Sequence, residues 1–158
     1  MLSQLVADGA MPARSGTAFA VTPTLREAYA HGDDDELGEI ALREAALASL
    51  RLLSGEDSGA ASGLPPRRAV LEADADAVTV RPDLDDAVVR LAGPVTLSDV
   101  VAAYIDNAAA EPAVLAAVAV IDAADLGDED AELTVGDAQD HDLAWYAAQE
   151  LPFLLELL

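Results

Sequence analysis

Every cationic side chain in this chain is an arginine, and the last of the eight is Arg90, whereas acidic residues run the full length. Residues 91–158 carry 14 carboxylates and no Lys or Arg, within a formal net charge of −22. This asymmetry limits what the chain can fold into. A carboxylate in the C-terminal half is either left on a solvated surface or met by an arginine from the first half, as Arg67, Arg68, Arg81 and Arg90 could do for the Asp-rich helices, within one fold or across a dimer. Surface pairs of that kind contribute little each. Polyanion binding needs a basic patch that releases counterions from phosphates, and no such patch is visible, which excludes nucleic acid as a partner. Anionic lipid headgroups are disfavoured on the same ground, so no membrane partner is expected.

At 158 residues the chain fits one domain, 1–158, large enough to bury a core without disulfides or metal. Cysteine is absent, which removes thiol nucleophiles, zinc–thiolate clusters and disulfide scaffolds. The hydrophobic fraction of 53% is largely alanine, and aromatics are only 4%, so the core is expected to be small and aliphatic. No uninterrupted apolar run reaches the roughly 20 residues that span a bilayer. The first residues, MLSQLVADGAMPARSG, lack a basic segment and a clean apolar stretch, so no secretory signal is read and a cytoplasmic location follows by default.

Leu2, Leu5 and Val6 have helical spacing up to Gly9, a fitting left-handed cap. Gly16–Val21 is β-prone, and Thr22 or Thr24 caps a short helix that halts at His31 and Gly32. Asp33–Asp35 then provide caps and acids for a helix of about 18 residues with Leu37, Ile40, Leu47 and Leu50 on its buried face. Residues 54–66, rich in Ser, Gly and Pro, read as a flexible loop. Period-two alternation predicts a strand over 69–74, which Val78 and Val80 either extend or follow with another; 88–91 and 101–105 read as a second and a third short strand, with Gly93–Pro94 a turn and 96–100 a brief helical turn. Residues 111–122 form a helix with proline in its first turn, 126–130 an acidic turn, 142–147 a strand, and Pro152 opens a terminal helix.

The segments FAVTPTLREAYAHGDDDEL (19–37), PRRAVLEADAD (66–76), VRLAGPVTLSDV (89–100), DAADLGDEDAEL (122–133) and HDLAWYAAQELP (141–152) resemble a small actinobacterial family of unknown function. Members of that family begin with a short β-strand ahead of the segment matching Leu2–Gly9, so the resemblance implies an N-terminally shortened chain. It also implies an α+β fold, a small antiparallel sheet packed by helices in a ferredoxin-like sandwich with an enlarged helical first crossover. One absent sheet strand would expose backbone and apolar surface and favour a homodimer. The family carries no assigned activity or cofactor.

Chemistry is thinly signalled. Asp33, Asp34, Asp35 and Glu36, and again Asp128, Glu129, Asp130 and Glu132, offer oxygen ligands for a hard cation, but neither run has the alternating spacing and sixth-position glycine of an EF-hand loop. Helix N-terminal charge for the first run and a solvated turn for the second account for both. His141, flanked by Asp140 and Asp142, has the composition of a general base, yet adjacent strand residues point to opposite faces. His31 suits a helix C-terminus. No GxSxG, Walker or dinucleotide-binding glycine pattern is present. Trp145, Tyr146 and Phe153 are the one aromatic concentration; Trp145 reads as a packing residue of the last strand or, with Tyr146, Asp140 and Asp142, as a partner-binding patch. Two functions follow: a non-catalytic interaction domain whose anionic half meets a basic protein, needing no cofactor, or a small divalent-cation-dependent enzyme. The acidity itself has a plainer source in salt adaptation or GC-rich coding.

Overall fold

A computed structural model describes residues 2–13, 16–55 and 65–157. Helix α1 (Leu2–Asp8) ends where Gly9, at φ 76°, donates its N–H to the Leu5 carbonyl at 2.8 Å. Strands β1 (Ala10–Met11) and β2 (Thr17–Phe19) precede α2 (Pro23–Ala28). Thr22 caps α2 by accepting the Leu25 N–H at 3.1 Å, and its own hydroxyl donates to the Asp86 carbonyl, tying the cap to a distant loop. Proline at the first helical position needs no N–H partner there.

Helix α3 (Asp34–Gly55) is longer than its apolar pattern suggested, at 22 residues. Asp33 accepts the Glu36 N–H at 2.9 Å, and Asp34, Asp35 and Glu36 fill the first turn, where the helix dipole favours negative charge. At its other end α3 takes in Ser54 and Gly55, the first two residues of the expected loop; 56–64 lie outside the described residues.

Then come β3 (Ala69–Ala73), β4 (Val78–Val80), β5 (Val88–Leu91), β6 (Val95–Thr96) and β7 (Val100–Ile105). Helices α4 (Glu111–Asp125) and α5 (Glu129–Gln139) form a hairpin before β8 (Ala144–Ala147) and α6 (Leu151–Leu157). Short 3-10 turns at 97–99, 108–110 and 148–150 lead into β7, α4 and α6.

The class is α+β, with small antiparallel sheets packed against helices. The strands divide among three sheets rather than one: β1–β6, β2–β5–β4 and β3–β7–β8. Breakers such as Pro82 and Gly93–Pro94 keep β4 and β6 too short to extend a larger sheet. The implied succession of helix, two strands, helix and strand is carried by α3, β3, β7, the α4–α5 hairpin and β8. Their register pairs Leu71 with Ala103 and Ala103 with Tyr146, so these three share one face; Val70, Tyr104 and Trp145 share the other.

Three apolar clusters hold these parts. On the Leu71–Ala103–Tyr146 face, Ala103 and Ile105 pack with Leu5 of α1 and with Leu151 and Leu154 of α6. Leu50 of α3 packs with Val114, Ala117 and Ile121 of α4 and with Val135 and Ala138 of α5. Leu25, Leu37 and Ala87 join α2, the start of α3 and the approach to β5. Ile40 and Leu47, read as buried, are half-buried at the margins of these clusters.

The expected acidic turn at 126–130 is shorter than read, because α5 begins at Glu129 with Asp128 as its cap, accepting the Ala131 N–H at 2.9 Å. Its buried side is Ala131, Val135 and Ala138, small residues at helical spacing among acids, Thr134 and Gly136. Leu50 has no exposed surface and sits where α3, α4 and α5 meet. Leu50→Ala should therefore lower stability by about 2–5 kcal/mol, read as a reduced urea midpoint at unchanged slope.

Candidate functional site

Four arginines of the first half reach across to carboxylates of the second, in reverse chain order. Arg43 lies 3.9 Å from Asp140, Arg51 3.0 Å from Asp125, Arg67 3.6 Å from Glu111 and Arg68 2.7 Å from Asp106. Arg26 and Arg81 are taken within the first half, by Asp34 and Asp83. Four arginines are thus each matched to a C-terminal carboxylate, Arg43 and Arg51 in exposed pairs, Arg67 in a half-buried one and Arg68 in a buried one.

The Arg68–Asp106 pair is the one the sequence led least well to. Surface pairing with Asp-rich helices was expected; instead both residues are only 1% exposed, and the partner stands at the end of β7. Asp106 accepts from the Arg68 backbone N–H, Nε and Nη2 at 2.7–2.8 Å, while Nη1 donates to Gln139 Oε1 and Nη2 to the His141 carbonyl, both at 2.8 Å. A buried charge survives only when its hydrogen-bonding groups are met, as here. Gln139 passes the linkage to α3, its Nε2 donating to the Arg43 carbonyl at 3.0 Å and its own carbonyl accepting from Arg43 Nη1 at 3.3 Å.

Outside this frame lies an anionic face built by α4, α5 and the approach to β8. Asp122, Glu129, Asp130, Glu132, Asp137 and Asp142 are all exposed there. Leu126, 90% exposed at the corner where α4 passes to α5 through Gly127 at φ 95°, and Leu133, 70% exposed within α5, stand among them. Large apolar side chains among acids combine electrostatic attraction with apolar area, as interfaces do.

The sequence-derived candidates are separated by the fold. Asp33 and Asp128 serve as helix caps and Asp34 pairs with Arg26 at 2.6 Å, while Asp35 and Asp130 are exposed near the starts of different helices. Among the described residues no three His, Asp or Glu side chains gather closely enough to hold a metal ion. Trp145 is not a packing residue: it is 59% exposed, because strand alternation on edge strand β8 gives the buried face to Tyr146. Trp145 and Tyr146 therefore do not form one patch; Trp145 stays on the surface with Asp140 and Asp142, and Phe153 of α6 is 69% exposed. His141 contributes its backbone carbonyl to Arg68.

Titration along α3 follows from these pairings. The Arg51 guanidinium, bidentate on Asp125 at 3.0 Å, holds that carboxyl below its usual range. Glu44, about two helical turns before Arg51, is pushed up, first by burial and then by Asp85, against the opposing pull of Arg51 and Arg43. Burial and the hydrogen bond donated to Glu72 at 3.0 Å raise the Tyr104 phenol.

The architecture is that of a small α+β protein with short antiparallel sheets and an acidic helical hairpin. The chain belongs to a family of unknown function, DUF6912, whose pattern it matches over residues 1–155. Neither the curated proteins nor the solved structures contain a match to it. Among the described residues, no helix is long and apolar enough to cross a membrane.

The raised pKa of Glu44 means that the folded state holds this proton more tightly than the unfolded chain. Its contribution is fully present below the ordinary glutamate pKa of about 4.3 and is lost as the pH rises through the folded value. Glu44→Gln should therefore raise the melting temperature at pH 7, and the gain over wild type should vanish when melts are repeated below about pH 4.

Proposed function

We propose that the protein is a non-catalytic interaction module that presents the α4–α5 face to a basic surface on a protein partner. The observation that supports this reading is the one-to-one pairing of arginines with C-terminal carboxylates: Arg43, Arg51, Arg67 and Arg68 are each tied to one carboxylate of that half. The exposed acids of 122–142 are left to face outward with Leu126 and Leu133 among them. Such a field raises the association rate with a cationic partner and falls off with salt, since the screening length is about 8 Å at physiological ionic strength. The exposed leucines supply apolar area that would distinguish a specific partner from any basic protein. The same field repels nucleic acid.

A triple variant, Glu129→Gln with Asp130→Asn and Glu132→Gln, removes charge from α5 while leaving the Asp128 cap in place. Affinity capture from the native source at low and high salt should recover a basic protein that is lost both with salt and with the triple variant, and labelled duplex DNA should not bind. A capture profile identical for wild type and variant, or saturable DNA binding without a bridging cation, would contradict the reading.

A further inference from the structure

Trp145 is the one tryptophan of the chain, and it stands exposed on β8, the edge of its sheet away from β3. Burial of an indole is favourable, so one left in water on an ordered strand is a ready contact for another molecule.

The residues around it define the chemistry of that contact. The register sets Trp145 directly opposite Tyr104 on β7, so two aromatic side chains stand side by side on one face of the sheet. The Tyr104 hydroxyl donates to Glu72 Oε2 at 3.0 Å, which fixes an exposed carboxylate beside the rings on that face. Among the described residues Glu72 forms no ion pair; the arginines leading into β3, Arg67 and Arg68, are taken by Glu111 and Asp106. Aromatic faces attract cations, and a guanidinium suits them best because its plane also stacks.

The backbone adds a second requirement. Asp106 donates its N–H to the Arg68 carbonyl, so by alternation Tyr104 and Ala102 direct their N–H and C=O to β3, and Ala103 and Ile105 direct theirs to β8. Tyr146 and Ala144, opposite those two, therefore complete the ladder, while Trp145 and Ala147 turn N–H and C=O away from β7. The Ala147 N–H is met on that outer side by Glu150 Oε2 at 2.8 Å. No other described residue bonds to the outward N–H or C=O of Trp145. One donor and one acceptor on a single residue match one residue of an extended chain, whose side chain then falls on the Trp145 face.

We propose that Trp145 and Tyr104 receive one arginine side chain of an extended segment of another protein, the guanidinium stacking on the rings within the field of Glu72 and the segment's backbone pairing with Trp145. This site is built on the β3–β7–β8 sheet, uses none of the α5 acids, and stands without the α4–α5 face.

The probe is an acetylated, amidated pentapeptide of threonine with a central arginine; its control carries citrulline, which keeps the shape of arginine without the charge. Selectively excited indole emission reports on the site, because Trp145 has no other tryptophan to mask it. At physiological salt the arginine peptide should change the emission saturably, with the citrulline peptide about tenfold weaker. By calorimetry Trp145→Leu, an exposed substitution that should leave the melting temperature nearly unchanged, should lose this binding. Glu72→Gln should weaken it several-fold, and the α5 triple variant should leave it nearly unchanged. Equal binding of the two peptides, or none, would overturn this site and leave the α4–α5 face standing. Binding lost in the triple variant but kept in Trp145→Leu would overturn the site and place the cation on α5 instead. A concentration-dependent dimer abolished by Trp145→Leu would assign the surface to a second copy and also overturn the proposal.

Discussion

The rest of the structure depends on one buried ion pair. Arg68 opens β3, Asp106 closes β7, and their five short contacts, counting those to Gln139 and His141, join a sheet, a helical hairpin and, through Gln139, the long helix α3. Taking two charges out of water costs several kcal/mol per ion, and their attraction offsets this only when the geometry is good and the remaining donors are satisfied. Here the guanidinium is nearly saturated with acceptors. A pair of this kind selects one arrangement strongly, because a slipped register of β3 against β7 would leave a buried charge without its partner.

Charge asymmetry explains why the pair joins distant parts of the chain. A carboxylate buried beyond residue 90 has no local cation to call on, so Asp106 is met by a residue 38 positions earlier. The same necessity recurs at Glu111, Asp125 and Asp140, whose arginines lie progressively earlier on β3's approach and α3. The three outer pairs are partly solvated and stabilise modestly. With those arginines matched one to one, Asp122, Glu129, Asp130, Glu132, Asp137 and Asp142 remain exposed on the α4–α5 face, and function on this reading follows from that surplus of acid.

Much of the fold was legible because it rests on local rules. Gly9 as a left-handed stop, Thr22 and Asp33 as caps, and the period-two run at β3 are each decided within a few residues. Helix α5 was missed because its buried stripe is Ala131, Val135 and Ala138, too small to stand out among acids. Trp145 was misplaced because a scarcity of aromatics argues for burial, whereas the face it takes is set by strand parity and by its position on an edge. The Asp cluster at 33–35 was legible as a helix start and is used as one, whereas that at 128–130 was read as a solvated turn and Asp128 instead caps α5. The Arg68–Asp106 pair had no local signal, because two arginines in a row do not reveal which is buried.

A double-mutant cycle on the buried pair tests this account most directly, using urea unfolding of Arg68→Met, Asp106→Leu and the double variant. Each single change should cost about 3–5 kcal/mol by stranding a buried charge, and the double should cost far less than their sum, since no charge is then left unpaired. Single losses below about 1 kcal/mol that simply add would show that the pair is peripheral and contradict the account.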